Sequence, residues 1–159
     1  MRQMEVSKWL KMITILTGVA GLIFFLAVVP LMAHDYAAAY PETAYLMWPG
    51  MIYGWGIGVI CYAMLYQFWK VCVEIGRDNS FSAENAASFR VISRLAVLMA
   101  GVWFIGVVFL AIVRALGLAF AIFMVLIAFI CIVAAVLTAA LSHLIYKAYE
   151  MRQENDLTI

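Results

Sequence analysis

Two histidines and three cysteines are the side chains of this 159-residue sequence best suited to hold a metal or carry redox chemistry. Their spacing argues against both. His34 and His143 close two different uncharged runs, at what should be opposite membrane faces, so they cannot jointly ligate one haem or metal ion. A lone interfacial histidine is read as a hydrogen-bonded boundary residue. Cys61, Cys72 and Cys131 form no C-x-x-C, which speaks against a thiol oxidoreductase. Cys61 and Cys131 lie in apolar runs and read as small packing residues. Cys72 stands at a membrane boundary, where reversible lipidation is the conceivable modification, and none is placed to form an outer structural disulfide. No Ser–His–Asp set, H-E-x-x-H, G-x-G-x-x-G or Walker pattern stands out. The expectation is a non-enzymatic chain with no catalytic residue, cofactor or metal.

The elements that carry these residues follow from composition. The hydrophobic fraction is 68%, the charged fraction 12%, and mean hydropathy is +1.05. So few charges cannot cover the surface of a water-soluble domain this small, and disorder needs the opposite balance. A formal net charge of +1 gives no basic field to attract nucleic acid, so no direct nucleic-acid partner is expected. A spanning helix needs about 20 apolar residues, and four uncharged runs supply them: 12–34, 46–69, 95–113 and 115–146. Lipid offers backbone groups no partner, so these runs must be helical. The fold expected is all-α: one polytopic domain over 1–159, four transmembrane helices arranged as two hairpins, and the lipid bilayer as first partner. None of the four runs contains Asp, Glu, Lys or Arg, which argues against proton-coupled or cation-coupled transport.

Orientation follows from the basic residues. Arg2, Lys8 and Lys11 precede the first run, Lys70, Arg77, Arg90 and Arg94 lie between the second and third, and Lys147 and Arg152 follow the fourth. Only Arg114 lies on the other side. Both termini and the 70–94 loop are therefore expected in the cytoplasm, with 147–159 as a cytoplasmic tail. The outer side keeps a loop of about ten residues around Asp35 to Tyr45 and a tight hairpin near Arg114 to Gly117. Trp9 and Trp69 on the inner side, and Tyr36, Tyr40, Tyr45 and Trp48 on the outer, fit interfacial anchors. The first run is too long for a signal-peptide core and no A-x-A follows it, so it is read as retained.

Gly50, Gly54 and Gly58 form G-x-x-x-G-x-x-x-G on one face of the second span. Missing side chains let backbones approach, so this stripe is expected to pack helices together inside the bundle, a homodimer seam being the alternative. Hydroxyls at Thr14, Thr17, Tyr53, Tyr62, Tyr66, Thr138 and Ser142 could line a path for a neutral or apolar solute, the alternative function; such groups usually bond nearby backbone.

Polar variety concentrates on the inner side. Gly76 can stop the second helix, Asp78, Asn79 and Ser80 favour a turn, and Ser82 can cap the next helix with Glu84 in its first turn. Arg90 and Arg94 share a helix face. At the tail, Asn155 can stop the helix, after which Leu157 and Ile159 alternate with polar residues as in a short strand. Two aliphatics ending a chain suggest that 156–159 docks on the Ser80 to Arg90 segment.

These two segments carry a resemblance. Gly76 to Ile92, with Asn79-Ser80-Phe81-Ser82-Ala83-Glu84-Asn85 and Phe89-Arg90-Val91-Ile92, resembles a G-x-x-N-P-F-T-x-E-N…L-R-x-I motif. The ending Glu154-Asn155-Asp156-Leu157-Thr158-Ile159 resembles an E-N-D-L-T-I tail. Both belong to a bacterial family of four-span membrane proteins catalogued as domain of unknown function 2975. The chain departs from the pattern with Ser80 for Pro, Ser82 for Thr and Phe89 for Leu; serine keeps the capping chemistry, and losing proline loosens the turn. The resemblance implies pairing with a small helix-turn-helix transcription regulator, anchored or inhibited at the membrane. The residues expected to meet that partner are Asn79, Phe81, Ser82, Glu84, Asn85, Arg90, Glu154, Asn155, Asp156, Leu157, Thr158 and Ile159.

Overall fold

A computed structural model describes residues 3–156. The chain is all-helical over these residues: α1 (Gln3–Ile23), a π-helical turn (Phe24–Val28), α2 (Val29–Ala39), a 3-10 segment (Pro41–Leu46), α3 (Met47–Gly76), α4 (Ala83–Ile112) and α5 (Leu118–Asp156). They make four helical stretches long and apolar enough to cross a membrane, the first combining α1, the π turn and α2.

Proline sets the geometry of that first stretch. Val29 N–H bonds Phe24 O, one residue further back than in an α-helix, and Pro30 has no N–H to offer the next carbonyl. Phe25 O, left without its usual donor, accepts instead from Trp55 Nε1 of α3 at 2.9 Å. A local backbone defect thus becomes a bond between spans. The same joint is where α3 presents its small residues. A Cβ on Gly54 would stand 3.0 Å from Val29 Cγ1, and one on Gly58 would meet the Phe25 ring at 3.0–3.2 Å. Gly50 does not share this contact: it is exposed, with nothing within 4 Å of a Cβ built there. The close approach therefore spans Gly54 and Gly58 only.

Changing Gly54 to Leu is expected to destabilise the protein by ~1–3 kcal/mol, because Val29 must move to admit the side chain. Thermal melting in detergent measures it. A melting curve and oligomer size equal to the parent protein's would mean the contact has no energetic weight.

The helices form an open row. α1 and α2 lie against α3, α3 against α4, and α4 against α5, while among the described residues no Cα of α1 or α2 approaches α4 or α5 within 8 Å. Ser142 Oγ donates to Ala86 O and Ser93 Oγ to Ala135 O, which fixes the antiparallel register of α4 and α5. Near the end remote from the termini, α3, α4 and α5 meet at Gly106. Tyr53 OH donates to Val102 O at 2.9 Å there, and Met124 is 1% exposed.

Both tight connections end their helices the same way. After α3, Asp78 N bonds Ile75 O and Asn79 N bonds Glu74 O; after α4, Arg114 N bonds Ala111 O and Ala115 N bonds Leu110 O. This is the Schellman pattern, and it puts Asp78 (φ 61°) and Arg114 (φ 56°) in the left-handed region that glycine usually takes. Gly76 is the last helical residue of α3, as expected, but for another reason: α1 crosses so close that a Cβ there would lie 2.6 Å from Ser7 Oγ.

Within the 70–94 connection only residues 77–82 lie outside the helices, in keeping with the Gly76 stop and the Ser82 cap. Two expectations are corrected. The ten-residue loop around Asp35 to Tyr45 is nearly all helical, with Tyr40 alone between α2 and the 3-10 segment. Asn155 does not stop the last helix, which continues to Asp156. At ~1.5 Å per residue, the 39 residues of α5 run to ~58 Å, well beyond a ~30 Å hydrocarbon layer. The expected strand at Leu157 to Ile159 lies outside the described residues.

Candidate functional site

The buried polar side chains among the described residues are Ser7, Thr14, Ser82, Asn85, Ser88 and Ser142, all toward the end of the row where the chain begins and α5 finishes. They fall into two groups. On α1, Ser7 Oγ donates to Cys72 O at 2.7 Å, and Thr14 Oγ1 bonds Leu10 O and lies 3.8 Å from Cys72 Sγ. Cys72 is fully buried beneath these contacts.

The second group builds the turn between α3 and α4. Ser82 caps α4, its Oγ accepting from Asn85 N at 3.1 Å, and Glu84 lies in the positive first turn. Asn85, 1% exposed, reaches back with Nδ2 to donate to Ser80 O at 2.9 Å and Asn79 O at 3.4 Å. Asn79 Nδ2 in turn donates to Glu74 Oε2 at 3.0 Å, and Arg77 pairs with Glu74 Oε1 at 3.0 Å. The Arg77 side chain is 70% exposed, so this ion pair adds only ~0–1 kcal/mol, and the buried amide bonds carry more. Six residues without regular structure are thus held at both ends. Asn85 Oδ1 has no donor among the described residues.

The motif residues therefore divide by role. Asn79, Ser82 and Asn85 direct their side chains into the turn. Phe81, 54% exposed, and the exposed Glu84 and Arg90 are what the turn leaves outward. Glu154 and Asn155 are exposed near the end of the described part of α5; Asp156 is its last described residue, and Leu157, Thr158 and Ile159 lie outside the described residues. α5 is antiparallel to α4, with Ser142 level with Ala86, so its final ten residues extend ~15 Å past the start of α4, on the side of the turn.

Five of the seven hydroxyls considered for a solute path are spent on backbone. Thr14 bonds Leu10 O, Tyr53 bonds Val102 O, Tyr62 bonds Gly18 O at 2.5 Å, Thr138 bonds Ala134 O and Ala135 O, and Ser142 bonds Ala86 O. Several tie neighbouring helices together. Among the described residues no three His, Cys, Asp or Glu side chains are grouped to hold a metal ion.

Sequence reasoning missed Trp55 as a bond donor between spans, and Ser7 with Gly76 as a close crossing. A proline in mid-span was the available signal for the first. A serine facing a glycine carries no such signal until the pairing of helices is known.

Comparison with known proteins agrees with this architecture. The chain is 28% identical over 153 residues to the uncharacterized membrane protein YoaS of Bacillus subtilis (strain 168), covering 95% of this chain and 96% of that protein. No solved structure matches it. With the four spanning helices, this makes the protein a multi-pass membrane protein. Residues 31–159 match a family described as Protein of unknown function (DUF2975), and the chain belongs to that family.

Proposed function

We propose that the protein is a non-enzymatic membrane anchor that presents the α3–α4 turn and the end of α5, on the cytoplasmic side, to a soluble partner. The observation that carries this reading is Phe81. A large apolar side chain, 54% exposed, sits on a turn fixed by buried amide bonds and lies beyond the spans. An aromatic ring on a rigid mount loses little entropy when a partner covers it. Exposed Glu84 in the first turn of α4, and exposed Arg90 further along the same helix, supply polar groups near this end. The partner proposed is a small helix-turn-helix regulator held at or inhibited by this face, and residues 156–159 complete the surface.

Photo-crosslinking in native membranes tests the reading. A crosslinker in place of Phe81 is expected to capture a helix-turn-helix protein, and Phe81→Ala or deletion of 156–159 should reduce co-purification of that protein at least ~10-fold, the loss of one buried aromatic contact. No capture, or capture unaffected by both changes, overturns it. Orientation is tested separately with single cysteines in a background lacking Cys61, Cys72 and Cys131. A cysteine at Glu42 should react with an impermeant reagent from outside and one at Asn155 should not; the reverse removes the cytoplasmic face on which the proposal depends.

A further inference from the structure

α1 and α3 leave a groove of about 240 Å³ between them, lined by Thr14, Ile15, Gly18, Tyr62, Leu65, Tyr66 and Trp69. Its lining is mostly apolar, and two of its hydroxyls are satisfied: Thr14 is bonded to Leu10 O, and Tyr62 to Gly18 O. Gly18 keeps the floor low, since a Cβ there would meet Leu65 at 3.3 Å. Two ammonium groups hang over the lining rings at one end. Lys70 Nζ is 4.7 Å from the Tyr66 ring centre, and Lys11 Nζ is 6.0 Å from that of Trp69. Among the described residues neither lysine makes an ion pair, and the one carboxylate near them on α3, Glu74, is engaged by Arg77 and Asn79.

We propose that this groove binds one anionic phospholipid, an acyl chain lying along Ile15, Gly18 and Leu65 and the headgroup phosphate held between Lys11 and Lys70. The charge pattern selects the occupant. A neutral lipid would fill the apolar floor equally well but leave both cations without a counter-charge, while an anionic headgroup meets two donors that the rings already orient. The two lysines come from different helices, so the lipid would bridge α1 and α3 beside the Ser7–Cys72 contact. The site is independent of the proposed partner face.

Native mass spectrometry of the full chain, with phosphatidylglycerol and phosphatidylcholine of identical acyl chains, tests it. One phosphatidylglycerol should be retained roughly thirtyfold better than phosphatidylcholine, the order expected for two lysines near an anionic surface. The pair Lys11→Gln and Lys70→Gln should abolish that preference. The pair Lys147→Gln and Arg152→Gln, which removes the same charge from α5, should preserve it. Chain-free glycerophosphate should not compete. Thermal melting of each variant verifies that it is folded. Equal retention of the two lipids, equal loss in both double variants, or displacement by glycerophosphate would overturn the proposal.

Discussion

Replacing Gly106 by leucine is expected to be the most damaging single change in the spans. A Cβ at Gly106 already collides with Tyr53 OH and comes within 2.9 Å of Met124 Cε. Met124 is 1% exposed and has nowhere to retreat, and moving Tyr53 breaks its bond to Val102 O. Overpacking costs ~1–3 kcal/mol and the lost hydrogen bond adds ~0.5–1.5 kcal/mol, so α3, α4 and α5 should separate at a clearly lower temperature. Gly101 supplies the comparison. It lies on the same helix with open space around it, so Gly101→Leu should leave the melting temperature unchanged or raise it, through better helix propensity. Equal melting of the two variants would show that the three-helix contact contributes nothing.

The second large effect is expected at Asn85. Leucine in its place keeps the branching at Cγ and the Ser82 cap but removes the donor that serves Ser80 O and Asn79 O. Unsatisfied buried groups cost ~1–3 kcal/mol. Here the penalty is expected to appear locally, as faster amide hydrogen exchange over 77–86, with α5 beyond Ser142 little affected. Asn85→Asp should be worse, since it loses the same donor and adds a charge to a position 1% exposed. Parent-like exchange in both variants would mean that the turn is held by its backbone bonds alone.

These two sites show how far the sequence could be read. Four spans, the Ser82 cap and the hairpin near Arg114 were legible, because each rests on local rules of hydropathy, capping and turn formation. Gly54 and Gly58 were legible as a stripe, but the same spacing took in Gly50, which faces open space within this chain, since four-residue periodicity cannot say where the facing helix ends. Gly106 was invisible: a lone glycine in an apolar run gives no sign that two other helices converge on it. The open row was invisible too, because lipid-facing and helix-facing surfaces are equally apolar. At the candidate site the motif residues were found but not sorted. Nothing in the sequence distinguishes Asn85, which builds the turn, from Phe81, which the turn displays.

The open row also bears on how such a chain matures. Among the described residues, every close backbone approach joins spans that are neighbours along the sequence: α1 and α2 with α3, α3 with α4, α4 with α5. No segment must wait for a distant one before it can dock, and loop-closure entropy stays small at each step. Successive hairpins can therefore settle in the order of their synthesis, the first anchored by Trp55 on Phe25 O before α5 exists. The α4–α5 hairpin, registered by its own two serines, arrives last and is added to one side of a structure that is already standing.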